Sequence, residues 1–258
     1  MLPETAQDTK TRDLIGRIAS IRATVGVATH QVDTIITQAH RALEYLSPNN
    51  VAVRASISWN LGYAYLLQGN RTAAAHAYAE AQTKAVAMGH PIIAMMSTLG
   101  IGNIQEGNNQ LQQAAQTYQG LLQAVGEPPP LPMCEAYLGL ARIHYEWNKL
   151  DEAQRYWEQN APLARQFGSR IDRAVMSELF LARLRLAQGG VAEAASLVGQ
   201  AAQTARQHRF EMQLGEATAL QVEVLLRRGE GGETAVSLAQ NHPLTLARVH
   251  LAQGNAVA

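Results

Sequence analysis

Eight histidines, one cysteine and two pairs of neighbouring acids are the residues of this chain with the most direct chemical uses. A zinc site takes histidines and cysteines at helical or knuckle spacing. None of His30, His40, His76, His90, His144, His208, His242 and His250 is expected to form an i, i+4 helical pair with a carboxylate, and they read as ordinary surface or loop histidines. Cys134 has no basic neighbour in sequence to favour its thiolate. It reads as a small buried hydrophobe. Glu4 with Asp8, and Asp151 with Glu152, have the composition of acid–base pairs. The second pair stands where a helix begins, and the helix dipole accounts for it. Gly100-Ile101-Gly102 is a lone Gly-x-Gly, and no Gly-x-x-x-x-Gly-Lys-Ser/Thr loop exists to cradle phosphates. No catalytic set converges, so binding rather than catalysis is expected, with no metal and no cofactor.

A polar pattern with a fixed period is more informative. His30, Gly69, Asn109, Asn148, Gly189, Gly229 and Gly254 punctuate the chain at intervals of 39, 40, 39, 41, 40 and finally 25 residues. Six residues before each stand Thr24, Tyr63, Asn103, Arg142, Arg183, Glu223 and Arg248. Every one is polar or a tyrosine. Three residues further along the same helical face come Glu106 and Tyr145, then Leu186 and Leu226. A stripe of arginine, tyrosine and asparagine suits a polar peptide or a small anionic ligand. The bland alternative is a solvated helix face, which any surface helix needs. Arginine outnumbers lysine 18 to 3, and its planar fork favours bidentate contacts with anions.

The elements that must position this stripe follow from the same period. Seven residues before each punctuator the side chain is small, at Ala23, Gly62, Gly102, Ala141, Ala182 and Ala247, with Val222 as the exception. Five after it stand Ile35, Ala74, Ala114, Ala153, Ala194 and Thr234. Nine after it stand Ala39, Tyr78, Tyr118, Trp157, Val198 and Leu238. Small residues let two helices approach, and a bulky one a turn later fills the space beside them. Each unit is therefore a helix A, a tight turn closed by a left-handed residue, and a helix B. One hairpin cannot bury both faces, so neighbours must stack. Pro128-Pro129-Pro130 is the stiffest joint and the expected bend between repeats 3 and 4.

Composition agrees. Of 258 residues 43 are alanine, the best helix former, and the chain reads as all-α. Formal net charge is zero, which argues against direct nucleic-acid binding. One cysteine forms no intrachain disulfide. No apolar run reaches the roughly 18–20 residues that span a bilayer, so no membrane partner is expected. The first residues lack the pattern of an export signal, and a cytoplasmic location is the expectation. Asn70-Arg71-Thr72 matches a glycosylation sequon that such a location leaves unused.

The small–small–aromatic pattern resembles tetratricopeptide repeats, whose usual period is about 34. The stretches 61–69, 110–118, 145–151 and 245–254 are similar to the sensor region of MalT-like, large ATP-binding LuxR-family regulators. The resemblance covers nearly the whole chain. It implies a tetratricopeptide-like superhelical solenoid of antiparallel helix pairs. It also implies a groove that takes a small-molecule inducer or a regulatory protein or peptide, neighbouring regulator domains, and a homo-oligomer. Tyr63, Asn103, Glu106, Arg142, Tyr145, Arg183, Glu223 and Arg248 are the groove candidates. ATPase and DNA-binding activities do not carry over, because this chain lacks their motifs. A stand-alone scaffold recruiting a peptide or partner protein is the alternative reading.

The expected organisation is a flexible stretch over residues 1–12, then repeats over 13–258, about six helix pairs plus a partial seventh. Residues 244–253 read as a helix A with no helix B after it, which suggests a segment of a longer chain. Leu246, Val249 and Leu251 would be exposed there unless that helix packs back on repeat 6.

Overall fold

All seven punctuators hold the left-handed conformation that the repeat requires. Their φ values are 54° at His30, 75° at Gly69, 59° at Asn109, 56° at Asn148, 84° at Gly189, 76° at Gly229 and 74° at Gly254. In the first six turns the next N–H donates back to a carbonyl five residues earlier. Gln31 bonds Gly26, Asn70 bonds Tyr65, Gln110 bonds Gln105, Lys149 bonds His144, Gly190 bonds Arg185 and Glu230 bonds Leu225, all at 2.8–2.9 Å. This six-to-one bond satisfies carbonyls that a helix end otherwise leaves open.

The computed structural model describes residues 4–166 and 172–254. It holds two compact units, Met1–Pro129 and Pro130–Ala258, whose boundary falls inside the triple proline. The first unit contains α1 (Glu4–Ala28), α2 (Val32–Tyr45), α3 (Val51–Leu67), α4 (Arg71–Ala87), α5 (Pro91–Gly107) and α6 (Leu111–Ala124). The second contains α7 (Met133–Glu146), α8 (Leu150–Gln166), α9 (Arg173–Ala187), α10 (Val191–His208), α11 (Glu211–Arg227), α12 (Glu233–Ala239) and α13 (Pro243–Ala252). No strand occurs among the described residues. Odd-numbered helices are the A helices and even-numbered ones the B helices. Within each unit an A helix packs on its own B helix and on the next A helix.

The small–bulky pairing is literal in the first unit. A Cβ on Gly62 would fall 2.7 Å from Cδ1 of Tyr78, and one on Gly100 would fall 2.5 Å from the far edge of the same ring. Tyr78 is thus clamped between two glycines of successive A helices. Gly102 is pressed against Tyr118 in the same way. The lone Gly-x-Gly is therefore a seat for two tyrosine rings. Ala74, Ala114, Ala153 and Ala194 are fully buried, as are Ala23, Ala141 and Ala182.

Four sequence expectations are corrected. α1 begins at Glu4, so residues 4–12 are helical rather than a loose lead-in. No glycine or proline interrupts them, and Arg12 lies over the Tyr45 ring while donating to the Glu44 carbonyl. In repeat 6 the buried positions are Ala235 and Ala239, not Thr234 and Leu238. The turn Gly229-Glu230-Gly231-Gly232 delays α12 and slips its register by one residue. Ala247 is exposed, since no described helix follows α13 to cover it. α13 does pack back on α11 and α12, burying Val249 and half-burying Leu246, but Leu251 stays exposed.

Asn70 of the sequon caps α4, its side-chain oxygen accepting from the Ala73 N–H at 3.1 Å. No helix among the described residues is long and apolar enough to cross a membrane.

Candidate functional site

The groove candidates, six or three residues before each turn, divide between the two units: Tyr63, Asn103 and Glu106 in the first, and Arg142, Tyr145, Arg183, Glu223 and Arg248 in the second. All of these side chains are half-exposed except Arg248, which is exposed.

In the first unit the stripe bonds to its own fold. Asn60, buried on α3, donates to the Thr24 hydroxyl of α1 at 3.1 Å. The Tyr63 hydroxyl meets Nδ1 of His30 at 2.6 Å, and its ring stacks on Trp59 at 6.1 Å between centroids. Tyr118 donates from its hydroxyl to Asn103 Oδ1 at 2.7 Å and to Glu106 at 3.1 Å. Asn103 and Glu106 are thus brought together, over the ring that fills the Gly102 seat. Tyr63 belongs to a separate aromatic group one repeat earlier.

In the second unit the stripe is charged. Arg183 pairs with Glu216 at 2.9 Å across the step from α9 to α11. Arg227 pairs with Glu223 at 3.6 Å within α11. Tyr145 packs edge-on against Phe180, and burial holds its phenol above the usual pKa, so it stays a donor. Arg183, Glu223 and Arg227 all act electrostatically on that phenol, which brings four groups from three successive A helices into one field. Arg142 is half-buried on α7, and Arg248 is exposed on α13.

Sequence reasoning passed over three members of these faces. Trp59 stands four residues before Tyr63, and Arg227 four after Glu223, so both share a helical face with a named candidate. Glu216 stands seven before Glu223, on the same face.

The other chemical candidates are absorbed by structure. Cys134 is fully buried, and burial pushes its thiol up to about 12, which favours the neutral thiol. His40 with Glu44 and His76 with Glu80 do stand four apart, yet nowhere among the described residues do three potential ligands gather for a metal. Asp151 and Glu152 lie in the first turn of α8, where the helix dipole favours them. His144 is tucked between Trp147 and Tyr156, with ring centroids at 5.3 and 5.0 Å. Neither of its ring nitrogens has a hydrogen-bond partner.

Comparison with known structures gives the fold independently. The crystal structure of BtubC (BKLC) from P. vanneervenii superposes with a TM-score of 0.58, at 18% identity, over 93% of this chain and 94% of that one. The nearly identical TPR-like repeats of a Podosopora anserina kinesin light chain-type protein give 0.52 at 17% identity, over 78% of this chain and 98% of that one. A comparison with curated proteins finds no match. The model of the MalT-like TPR region matches residues 16–258. With the left-handed turns, the glycine–tyrosine seats and the forty-residue period already seen, that match settles the family: this chain belongs to the MalT-like tetratricopeptide-repeat region.

Proposed function

We propose that this chain is a non-catalytic recognition module, the sensor segment of a MalT-like regulator, and that its second unit receives the acidic group of a small inducer or regulatory peptide. The observation that carries this reading is the Arg183–Glu216 pair. Its two side chains are 36% and 37% exposed. An ion pair that open to water is worth no more than about 1 kcal/mol. An incoming carboxylate or phosphate therefore displaces Glu216 at little cost and gains a bidentate partner in Arg183. Tyr145 supplies a protonated hydroxyl to the same field, and Arg142 a second guanidinium one repeat away. Occupancy favours whichever repeat arrangement binds best, and adjoining domains read that shift.

The test is fluorescence anisotropy on the 258-residue protein, with a labelled acidic decapeptide and with inorganic phosphate as competitor. Binding of the peptide, at least tenfold weaker in Arg183→Ala and Arg142→Ala at unchanged helicity, supports the reading. Absence of binding, or equal binding by the variants, overturns it. Nucleotide-binding and helix-turn-helix coding sequence beside this segment would support the regulator assignment.

A further inference from the structure

Helix α9 is held from both sides by charge, and the two holds differ. Backward, its Arg173 pairs with Glu135 of α7 at 2.5 Å, with side chains only 20% and 19% exposed. Trp157 of α8 donates to the Ser177 carbonyl, and Tyr145 of α7 packs edge-on against Phe180, so α9 is fastened along its length to the hairpin before it. Forward, toward α11, two polar contacts stand at different heights. At the foot, the Gln213 amide donates to Asp172, and both residues are more than nine-tenths buried. Asp172 also lies 3.5 Å from Arg173, so Glu135, Arg173, Asp172 and Gln213 form one chain across the feet of three A helices. Arg183 stands about 16 Å further up α9 and meets Glu216 with both side chains open to water. The first unit is apolar in the foot registers. Sixteen and seventeen residues before its turns stand Val53 and Ala52, then Ile93 and Ile92, where α9 has Arg173 and Asp172.

We propose that the step from α9 to α11 is the moving joint of the second unit: α11 pivots at the buried Asp172–Gln213 foot and tilts at the stripe when Glu216 leaves Arg183. What displaces Glu216 rests on the ligand reading above, whereas the joint rests on the unequal burial of the two contacts. Breaking a buried hydrogen bond to a carboxylate leaves a charge without its donor inside the protein, which is costly. Glu216 exchanges Arg183 for water and loses little. A ligand that takes Arg183 therefore releases the stripe end and leaves the foot closed. The Glu135–Arg173 pair is sheltered from such exchange, so the step from α7 to α9 stays fixed. Helices α12 and α13 pack on α11 and move with it. Val175 and Leu179 share one core with Ala217 and Leu220, which limits the movement to a tilt. Packed helices shift by about 1–2 Å in transitions of this kind.

Dipolar broadening between paired nitroxide labels on the 258-residue protein tests it. Ala187→Cys with Arg228→Cys spans the upper ends of α9 and α11, and Glu146→Cys with Ala187→Cys spans those of α7 and α9. All three positions are exposed, and the buried Cys134 stays unlabelled. Glu216→Gln removes the exposed pair without any ligand. It should lengthen the upper α9–α11 distance by about 1–2 Å and leave the α7–α9 distance unchanged. A lower pair, Ala174→Cys with Glu211→Cys, should hold its distance. The acidic decapeptide should act on the parent chain as Glu216→Gln does. No change across α9–α11 in Glu216→Gln, or an equal change across α7–α9, overturns the joint. A lower-pair change as large as the upper one means that α11 moves away whole, and overturns the pivot. A joint that opens in Glu216→Gln while the decapeptide fails to bind upholds the joint and removes the ligand reading alone.

Discussion

The two units solve one packing problem with different volumes. In the first, glycine on helix A receives tyrosine from helix B, at Gly62 with Tyr78 and at Gly102 with Tyr118. In the second, alanine takes the small position and the partner is Trp157 or Val198 beside Ala141 and Ala182. Val198 is fully buried. Trp157 is only half-buried and donates its indole N–H to the Ser177 carbonyl of the next A helix at 3.0 Å. Trading a methyl on one helix against ring volume on the other keeps interior density constant, which is what a close-packed core requires. The exchange also has a polar consequence. A tyrosine ring seated on glycine carries its hydroxyl up to Asn103 and Glu106 and ties them to the fold. The second unit has no such hydroxyl at that place, and its stripe is left with solvent-facing ion pairs. Both units tie successive A helices with polar groups, but at the stripe the first uses a buried tyrosine hydroxyl and the second an ion pair with both side chains partly exposed.

The comparison breaks most visibly at the glycine seat. Gly102→Leu should cost roughly 1–3 kcal/mol or unfold the first unit, because Tyr118 has no room to yield. Gly120→Ala, on the same hairpin but with nothing within 4 Å of its would-be Cβ, should instead stabilise by roughly 0.5–1 kcal/mol. Thermal melts of both variants check the pair, and equal responses would show that the seat does not exist.

A smaller effect separates repeat 6 from its neighbours. Ala235→Leu should destabilise by about 1–2 kcal/mol, since Ala235 is fully buried. Thr234→Leu should be nearly neutral because that residue is exposed. The reverse order in chemical denaturation would restore the unslipped register.

The smallest effect concerns pH, and it belongs to the second unit. Burial holds the His144 pKa below its usual 6.5, helped by Lys149 and Arg155 and opposed by Glu152. The folded chain therefore prefers the neutral ring. Stability from this preference is complete above about pH 6.5 and falls as the pH drops, because the unfolded chain takes up the proton more readily. His144→Phe keeps a ring between Trp147 and Tyr156 and removes two unpartnered nitrogens. Its melting temperature should change less between about pH 7 and pH 5 than that of the parent chain. Parallel curves would remove His144 from the acid response.

The sequence by itself determined the repeat, because its signals are local. A glycine, asparagine or histidine that must turn left-handed marks the end of each A helix, and all seven do so. Small residues at a fixed distance before the turn and bulky ones after it pair within a single hairpin, so counting along the chain was enough to find Gly62–Tyr78 and Gly102–Tyr118. The slip in repeat 6 lay beyond counting. An extra turn residue moves every later position by one, and only burial reveals which residue faces the core.

The stripe's contacts across repeats were decided by tertiary structure. Asn60 finds Thr24 and Arg183 finds Glu216 across 36 and 33 residues of chain, through the stacking of successive A helices. The same holds for α1. Its buried residues are glycine, alanine and one serine, while large aliphatics, Leu14, Ile18, Ile21 and Val25, are exposed, because the close approach of α2 and α3 leaves room only for small side chains. Side-chain type and spacing fix where helices start, stop and narrow. Partnership is a property of the stacked array, since the groups that meet are supplied by different repeats.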